Sequence, residues 1–244
     1  MSARYSKSPH GPRAASLLSS TIPAASASEK VTGRQLSLSS GSRQQPSAAP
    51  APAPLRASAR CRIIDIMSLS PVLIVFGGLP GTGKTTIARE LTVRLSATYL
   101  RIDSIEQALR DAGFAAGAEG YAIANALAAE NLKLGRIVIA DCVNPILASR
   151  AAWRRCAVKT SARLVEIETL CSEPALHRQR VESRTPDIEG FRLPPWSDVV
   201  SRAYEPWDRE RLVLDTADGS LDDLLERAET YIRDRIGRLA GPSS

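Results

Sequence analysis

Short apolar runs alternate regularly with segments of helical periodicity from residue 70 onward. The runs predict five strands, at 72–76, 98–102, 137–140, 164–170 and 212–214. Between and after them, apolar residues recur every three or four positions, which predicts helices at 84–95, 105–111, 121–134, 145–158, 173–184, 197–204 and 220–239. This alternation predicts a parallel sheet of about five strands with helices on both faces.

Residues 1–66 differ from the rest in being rich in Ser, Ala, Pro, Arg and Gln, with few large apolar residues. Such a segment lacks the apolar surface that offsets the entropy of ordering, so we predict a disordered tail. Three origins stay open: a start codon chosen upstream of Met67 in error, a plain disordered tail, or an organelle transit peptide. The predicted folded domain covers 70–240.

The net charge of +6 belongs to this tail. Residues 1–66 hold nine Lys or Arg and two Asp or Glu, which leaves 23 basic and 24 acidic residues beyond them. A folded part of almost zero net charge makes nucleic acid an unlikely partner. No apolar run reaches the ~18 residues of a membrane span. We expect a cytoplasmic protein; the oligomeric state is open.

The four cysteines (Cys61, Cys142, Cys156 and Cys171) form no C-x-x-C pair, and histidine is nearly absent. This spacing predicts neither a disulfide framework nor a structural zinc site. We expect reduced and mostly buried thiols.

The sequence between the first predicted strand and helix fits G-x-x-x-x-G-K-[ST], the phosphate-binding loop pattern. Its glycines let backbone N–H groups point at phosphate oxygens, and the following helix adds its positive N-terminus. Lys84 can reach the β- and γ-phosphates, and the Thr85 hydroxyl can hold Mg²⁺. The predicted ATP-binding residues are Gly78, Leu79, Pro80, Gly81, Thr82, Gly83, Lys84, Thr85 and Thr86.

Two predicted strands end at an acid, Asp103 and Asp141, on the edge of the sheet where ligands bind. Asp103 can accept or orient the proton of an acceptor hydroxyl; the alternative is a helix cap beside Ser104. Asp141 is expected to hold the Mg²⁺ shell. Asn144 is either a substrate hydrogen-bonding residue or a turn residue.

The predicted helix at 173–184 is rich in arginine, and Arg180 and Arg184 lie four residues apart on one face. With the proline-bearing connection at 185–196, they predict a lid that closes over phosphates. The alternative is a solvated basic face paired with Glu173 or Glu182. Arg178 lies off that face. In the strand before this helix, alternating glutamates predict a more exposed position.

Several blocks together resemble the "predicted kinase" group of AAA-domain P-loop proteins, relatives of chloramphenicol phosphotransferase and of the 5′-kinase domain of polynucleotide kinase. These blocks are 78–85, 101–106, 139–145, 177–184, 193–196 and 214–216. The resemblance implies an adenylate-kinase-like fold and transfer from ATP, with Mg²⁺, to a hydroxyl. Asp103 matches the acid that serves as base in chloramphenicol phosphotransferase. Glu106 stands where the polynucleotide kinase pattern has arginine.

These observations favour an ATP-dependent small-molecule kinase with Lys84, Asp103, Arg180 and Arg184 as catalytic residues. Cys142 follows Asp141 where most AAA+ machines have a second acid, and the chain has no Asn-Lys-x-Asp segment for guanine. Two alternatives stay open: a regulator that binds ATP without transferring phosphate, and a nucleic-acid end kinase. The expected partners are ATP and an unidentified small-molecule acceptor.

Overall fold

The computed structural model describes residues 70–237, which form five strands and seven helices. The strands are β1 (Val72–Gly77), β2 (Thr98–Arg101), β3 (Ile137–Asp141), β4 (Arg163–Leu170) and β5 (Leu212–Asp215). The helices are α1 (Lys84–Leu95), α2 (Ile102–Asp111), α3 (Ala118–Lys133), α4 (Leu147–Lys159), α5 (Pro174–Ser183), α6 (Trp196–Val200) and α7 (Leu221–Gly237).

The strands form one sheet in the order β2-β3-β1-β4-β5, and every pair is parallel. The prediction of a five-stranded parallel sheet flanked by helices, in the P-loop NTPase class, is therefore confirmed. The carboxyl ends of all five strands meet at one edge, so the residues that follow β1, β2 and β3 lie near one another.

The core has two layers, one on each face of the sheet, because successive side chains of β1 point to opposite faces. Val72, Ile74 and Phe76 pack with apolar residues of α1 and α7. Leu73 and Val75 pack with residues of α3 and α4 on the other face. All five side chains are fully buried, which explains the unbroken apolar run in the sequence.

The junction between β2 and α2 differs from the prediction. The strand ends at Arg101 and the helix begins at Ile102, three residues before the predicted start. Arg101 occupies the N-cap position with an extended backbone and no side-chain cap, so neither Asp103 nor Ser104 caps this helix. Asp103 lies inside the first helical turn, where a carboxylate is favoured by the helix dipole.

Strand β4 is not the exposed strand that its glutamates predicted, because it lies between β1 and β5. Glu166 and Glu168 are only 6% and 8% exposed. Arg154 Nε lies 3.1 Å from Glu166 Oε1, and Arg211 Nε lies 2.5 Å from Glu168 Oε2. These arginines come from other segments of the chain and compensate the buried charges.

The remaining bounds shift by a few residues. Helix α3 begins at Ala118, whereas α6 ends at Val200 instead of 204. A capping box begins α7, because the Asp223 N–H donates to Ser220 Oγ at 3.2 Å and the Ser220 N–H donates to Asp223 Oδ2 at 3.0 Å. Cys142 and Cys156 are buried and Cys171 is half-buried.

The predictions for 1–66 and Cys61, and the last residues of the predicted final helix, lie outside the described residues. Within 70–237, no helix has the length and apolarity to cross a membrane.

Candidate active site

The phosphate-binding loop connects β1 to α1 through a backbone that only glycine adopts easily. Gly78, Gly81 and Gly83 have φ angles of 133°, 85° and 79°. A Cβ atom on Gly78 would lie 2.2 Å from the carbonyl oxygen of Thr169. The glycine spacing in the sequence is thus the direct cause of the loop's shape.

Neighbouring elements hold this loop from behind. Thr82 Oγ1 donates to the Leu79 carbonyl at 2.8 Å and lies 2.8 Å from the Thr169 hydroxyl on β4. His177 of α5 has its Nε2 2.8 Å from the Pro80 carbonyl oxygen. Its ring meets Trp196 edge-on at 5.0 Å. The loop is therefore fixed in shape by β4 and α5 together.

Lys84 is almost buried at the first position of α1. Its Nζ donates to the Leu79 carbonyl at 2.8 Å, within the loop itself. Burial lowers the pKa of Lys84, and the carboxylates of Asp141 and Asp103 oppose that shift. The ammonium group thus lies at the loop, opposite both acids that sequence analysis selected.

The two acids have different surroundings. Asp141 at the end of β3 is 3% exposed, and its Oδ2 accepts a hydrogen bond from the Tyr99 hydroxyl at 2.7 Å. The side chain of Asp103 is 39% exposed. Burial raises the pKa of Asp103, while Lys84 acts in the opposite direction. Asp103 does not cap a helix, so the alternative interpretation of this residue as a helix cap is wrong.

Arg101 links these acids to the lid, which we define as residues 184–195. Its Nη1 donates to Asp187 Oδ2 at 2.8 Å, and its Nη2 lies 3.7 Å from Asp103 Oδ2. Its Nε lies 4.0 Å from Asp141 Oδ2. Asp187 also accepts a hydrogen bond from Arg89 at 2.5 Å. Hydrogen bonds from Arg101 and Arg89 lower the pKa of Asp187 to about 2.

Sequence analysis missed this latch of Arg89, Arg101 and Asp187. The signal that was available is the charged residue at the carboxyl end of β2, two positions before Asp103. The identity of its partner could not be predicted, because Asp187 reaches it only through the path of the lid.

A cleft of about 670 Å³ lies between the phosphate-binding loop, α2 and the lid. This volume is typical of small-molecule sites. The predicted residues that line it are Pro80, Gly81, Gly83, Lys84, Thr85, Thr86, Asp103, Asp141 and Arg184. Gly78, Leu79, Thr82 and Arg180 do not line it, and the first three shape the loop instead.

The arginines of α5 and the lid separate in space. Arg184 lines the cleft, and its Nε and Nη2 are buried without a hydrogen-bond partner in residues 70–237. Burial lowers the pKa of its guanidinium group. Arg180 turns away and donates to Thr216 Oγ1 at 2.7 Å. Arg178 pairs with Glu182 at the surface, as the solvated-face alternative describes.

Asn144 serves as a turn residue, and its neighbour in space is a buried arginine. It has a φ of 51° and its Oδ1 accepts from Ser149 Oγ at 2.8 Å. Arg150 is fully buried, donates to the carbonyls of Asn144 and Glu205, and lies 4.2 Å from the Trp207 ring centroid. Arg150 therefore ties the loop after β3 to the segment that follows α6.

Comparison with known proteins gives one family match and several partial relatives. Residues 73–193 match the family described as AAA domain. An uncharacterized protein of Mycobacterium tuberculosis is 33% identical over 109 residues, or 38% of this chain. An uncharacterized protein of Mycobacterium bovis gives the same values. The match spans 22% of the length of these curated relatives.

Three solved structures share the fold. A gluconokinase from Sinorhizobium meliloti 1021 has a TM-score of 0.54 and 17% identity, covering 71% of this chain and 98% of its own. The Mycobacterium tuberculosis APS kinase CysC, in complex with AMPPNP and APS, has a TM-score of 0.52 and 19% identity, and the match covers 67% of this chain and 98% of its own. Chaetomium thermophilum Kti12, in complex with ADP-AlF3, has a TM-score of 0.51 and 25% identity, and the match covers 66% of this chain and 98% of its own.

These matches cover nearly the whole of each solved relative and about two thirds of this chain. They confirm the resemblance that the sequence blocks carried. Residues 73–193 are thus similar to an AAA domain, and the fold is the one that these solved structures share.

Proposed function

We propose that this protein is a kinase that transfers the γ-phosphate of ATP to a hydroxyl group of a small molecule. The observation that carries the proposal is the convergence of Lys84, Asp103 and Arg184 on one cleft beside the phosphate-binding loop. A phosphate-binding loop alone requires only the first of these residues.

In this proposal the loop and two cations receive the phosphates. The backbone N–H groups around Gly81 and Gly83 and the N-terminus of α1 bind phosphate oxygens. Lys84 and Arg184 stabilise the charge that develops during transfer. The orphaned Nε and Nη2 of Arg184 support this role, because buried donors without partners await an acceptor.

Asp103 acts on the acceptor. The acceptor oxygen forms a bond to the γ-phosphorus, the bond to the bridging oxygen of ADP breaks, and the hydroxyl proton passes to the Asp103 carboxylate. The partial exposure of Asp103 on the cleft side supports access by an acceptor.

Thr85 and Asp141 would hold Mg²⁺. A hydroxyl and a nearly buried carboxylate that line the same cleft are the oxygen ligands this ion prefers. When bound, Mg²⁺ would neutralise charge on the β- and γ-phosphates. Tyr99 orients Asp141 through its hydrogen bond to Oδ2.

The size and charge of the site favour a small acceptor over the two alternatives. A cleft of about 670 Å³ under a lid suits a small molecule better than a nucleic-acid end. The folded part has almost no net charge, so it lacks the electrostatic footprint of a polyanion binder. An acid positioned for proton transfer would have no purpose in a regulator that only binds ATP.

The test is ADP production that depends on an acceptor. Purified protein is screened against a metabolite library with ATP and Mg²⁺, and Lys84→Ala is compared with Lys133→Ala, an exposed lysine of α3. We expect at least one acceptor to stimulate ADP release, with turnover lost in Lys84→Ala and kept in the control. ATP binding with no acceptor-dependent release from the library would favour the regulator.

A further inference from the structure

One face of α2 forms the floor of the cleft. Asp103, Glu106, Gln107 and Arg110 follow one another at helical spacing, and all four line the cleft. Asp103 and Arg110 are seven residues apart, which is about 10 Å along a helix axis. The cleft therefore continues well beyond the phosphate-binding loop.

The lid and the segment after α6 enclose this distal end. Gly190 packs so closely on Gln107 that an added Cβ atom would lie 3.0 Å from its Nε2. The guanidinium carbon of Arg110 lies 5.9 Å from the centre of the Phe191 ring. Arg192 from the lid and Arg202 from the turn after α6 complete the lining.

This distal end carries an excess of positive charge. Arg110 is paired with Glu106 at 3.0 Å. Within residues 70–237, neither Arg192 nor Arg202 forms an ion pair. The carboxylate of Asp111 also lies at this end, where its Oδ1 accepts from Gln107 Nε2 at 2.7 Å. Three arginines and two carboxylates thus leave an excess of one positive charge, separate from Lys84 and Arg184 at the phosphate end.

We propose that the acceptor is an alcohol that carries an anionic group, a carboxylate or a phosphate, and that Arg110, Arg192 and Arg202 bind this group. The inference rests on the proposed kinase function and specifies its substrate class. Guanidinium groups bind both anions through paired hydrogen bonds, and a partly enclosed cleft strengthens such contacts.

The arrangement of charges also orients the acceptor. An anionic group close to Asp103 would be repelled, whereas the same group at the arginines is attracted. The molecule is therefore held with its anionic end distal and a hydroxyl at Asp103. This orientation selects the hydroxyl that receives the phosphate, because only one end of the acceptor lies near Asp103.

Matched probes test the substrate class. Sorbitol, gluconate and sorbitol 1-phosphate differ only at C1, and ribitol, ribonate and ribitol 1-phosphate form a shorter set. Affinity for each is measured by calorimetry on the full chain with AMPPNP and Mg²⁺ present. We expect at least one anionic member to bind tenfold or more tightly than its neutral counterpart. The acid and phosphate members distinguish the two anions.

Variants test the site. Arg110→Gln and Arg202→Gln are each expected to lower the affinity for the preferred anionic probe about tenfold, with the affinity for AMPPNP unchanged. Arg136→Gln, an exposed arginine before β3, is the matched control and should have no effect. All three residues lie at the surface, so the variants should fold, and thermal melting checks this.

The results separate this inference from the kinase proposal. Equal affinities for neutral and anionic members, no binding by any member, or unchanged affinity in both cleft variants would each overturn the anionic acceptor. A neutral alcohol that receives phosphate would overturn it and leave the kinase function standing. Anion binding that depends on Arg110 and Arg202, without any phosphate transfer, would instead support the site and contradict the kinase.

Discussion

At the scale of single residues, the roles of the charged groups in the site depend on how far each group is exposed to solvent. Asp141 is nearly buried and held by Tyr99, whereas Asp103 is partly open to the cleft. Two carboxylates with different environments can divide two tasks between them, one toward a metal ion and one toward a proton.

Replacing Asp103 separates catalysis from ATP binding. We expect Asp103→Asn to lower kcat with the true acceptor by roughly 10²–10⁴, because the amide cannot accept the proton. ATP affinity should persist, since the phosphates are bound elsewhere. Asp234→Asn, an exposed aspartate of α7, is the control. Full transfer activity in Asp103→Asn would remove its assignment as the base and make Asp141 the leading candidate.

The acid limb of the pH profile reports the same residue. Burial raises the pKa of Asp103 above the ordinary aspartate value of 3.8. The base acts only when ionised, so kcat/KM should fall as pH decreases through this raised pKa. A limb at the ordinary aspartate position, measured with the acceptor at low concentration, would contradict the role of Asp103.

The two arginines that sequence analysis grouped should now behave differently. Arg184→Ala is expected to lower kcat and raise KM for ATP, because Arg184 lines the cleft. Arg180→Ala loses its hydrogen bonds to Thr216. We therefore expect it to lower the melting temperature and to change kcat less than Arg184→Ala does. Parallel kinetics and thermal melts on both variants check this, and identical kinetic losses would restore the original grouping.

At the scale of elements, the lid is closed onto the sheet edge by Asp187, which accepts from Arg89 on α1 and Arg101 on β2. The lowered pKa of Asp187 keeps the latch ionised across neutral pH. Its stabilising effect is present above the ordinary aspartate pKa and is lost as pH falls toward about 2.

Breaking this latch should release the lid without unfolding the domain. Asp187→Asn is expected to increase hydrogen–deuterium exchange across 184–195, because a neutral amide holds the two guanidinium groups weakly. Glu189→Gln, an exposed acid in the same segment, should leave the exchange unchanged. Equal exchange in both variants would show that packing of Phe191 and Leu193, and not the ion pairs, closes the lid.

The elements also show what the sequence could predict. Strands and the phosphate-binding loop follow from local patterns: β1 is apolar throughout, and Gly78 requires its φ angle. The burial of Glu168 and the latch at Arg101 depend on partners that arrive from distant parts of the chain. The early start of α2 was missed because no side chain caps it.

At the scale of the whole molecule, the basic tail and the folded domain differ in composition and charge. We expect a chain lacking residues 1–66 to keep its melting temperature and ATP affinity, because the tail lacks the apolar residues that form a core. Thermal melts and ATP titrations of the full and shortened chains check this. A loss of several degrees would mean that the tail packs on the domain.

Arg150 has a consequence for how this protein can evolve. One end of the segment from Arg184 to Tyr204 follows α5, which rests on Pro80 through His177, and the other end is held by Arg150. With both ends anchored, the residues between Asp187 and Tyr204 can change in length and sequence while the loop side of the cleft keeps its shape. In the proposed site, exchanging that stretch between homologues would alter the part of acceptor recognition at Arg192 and Arg202, whereas Asp103 and Arg110 would stay in place on α2.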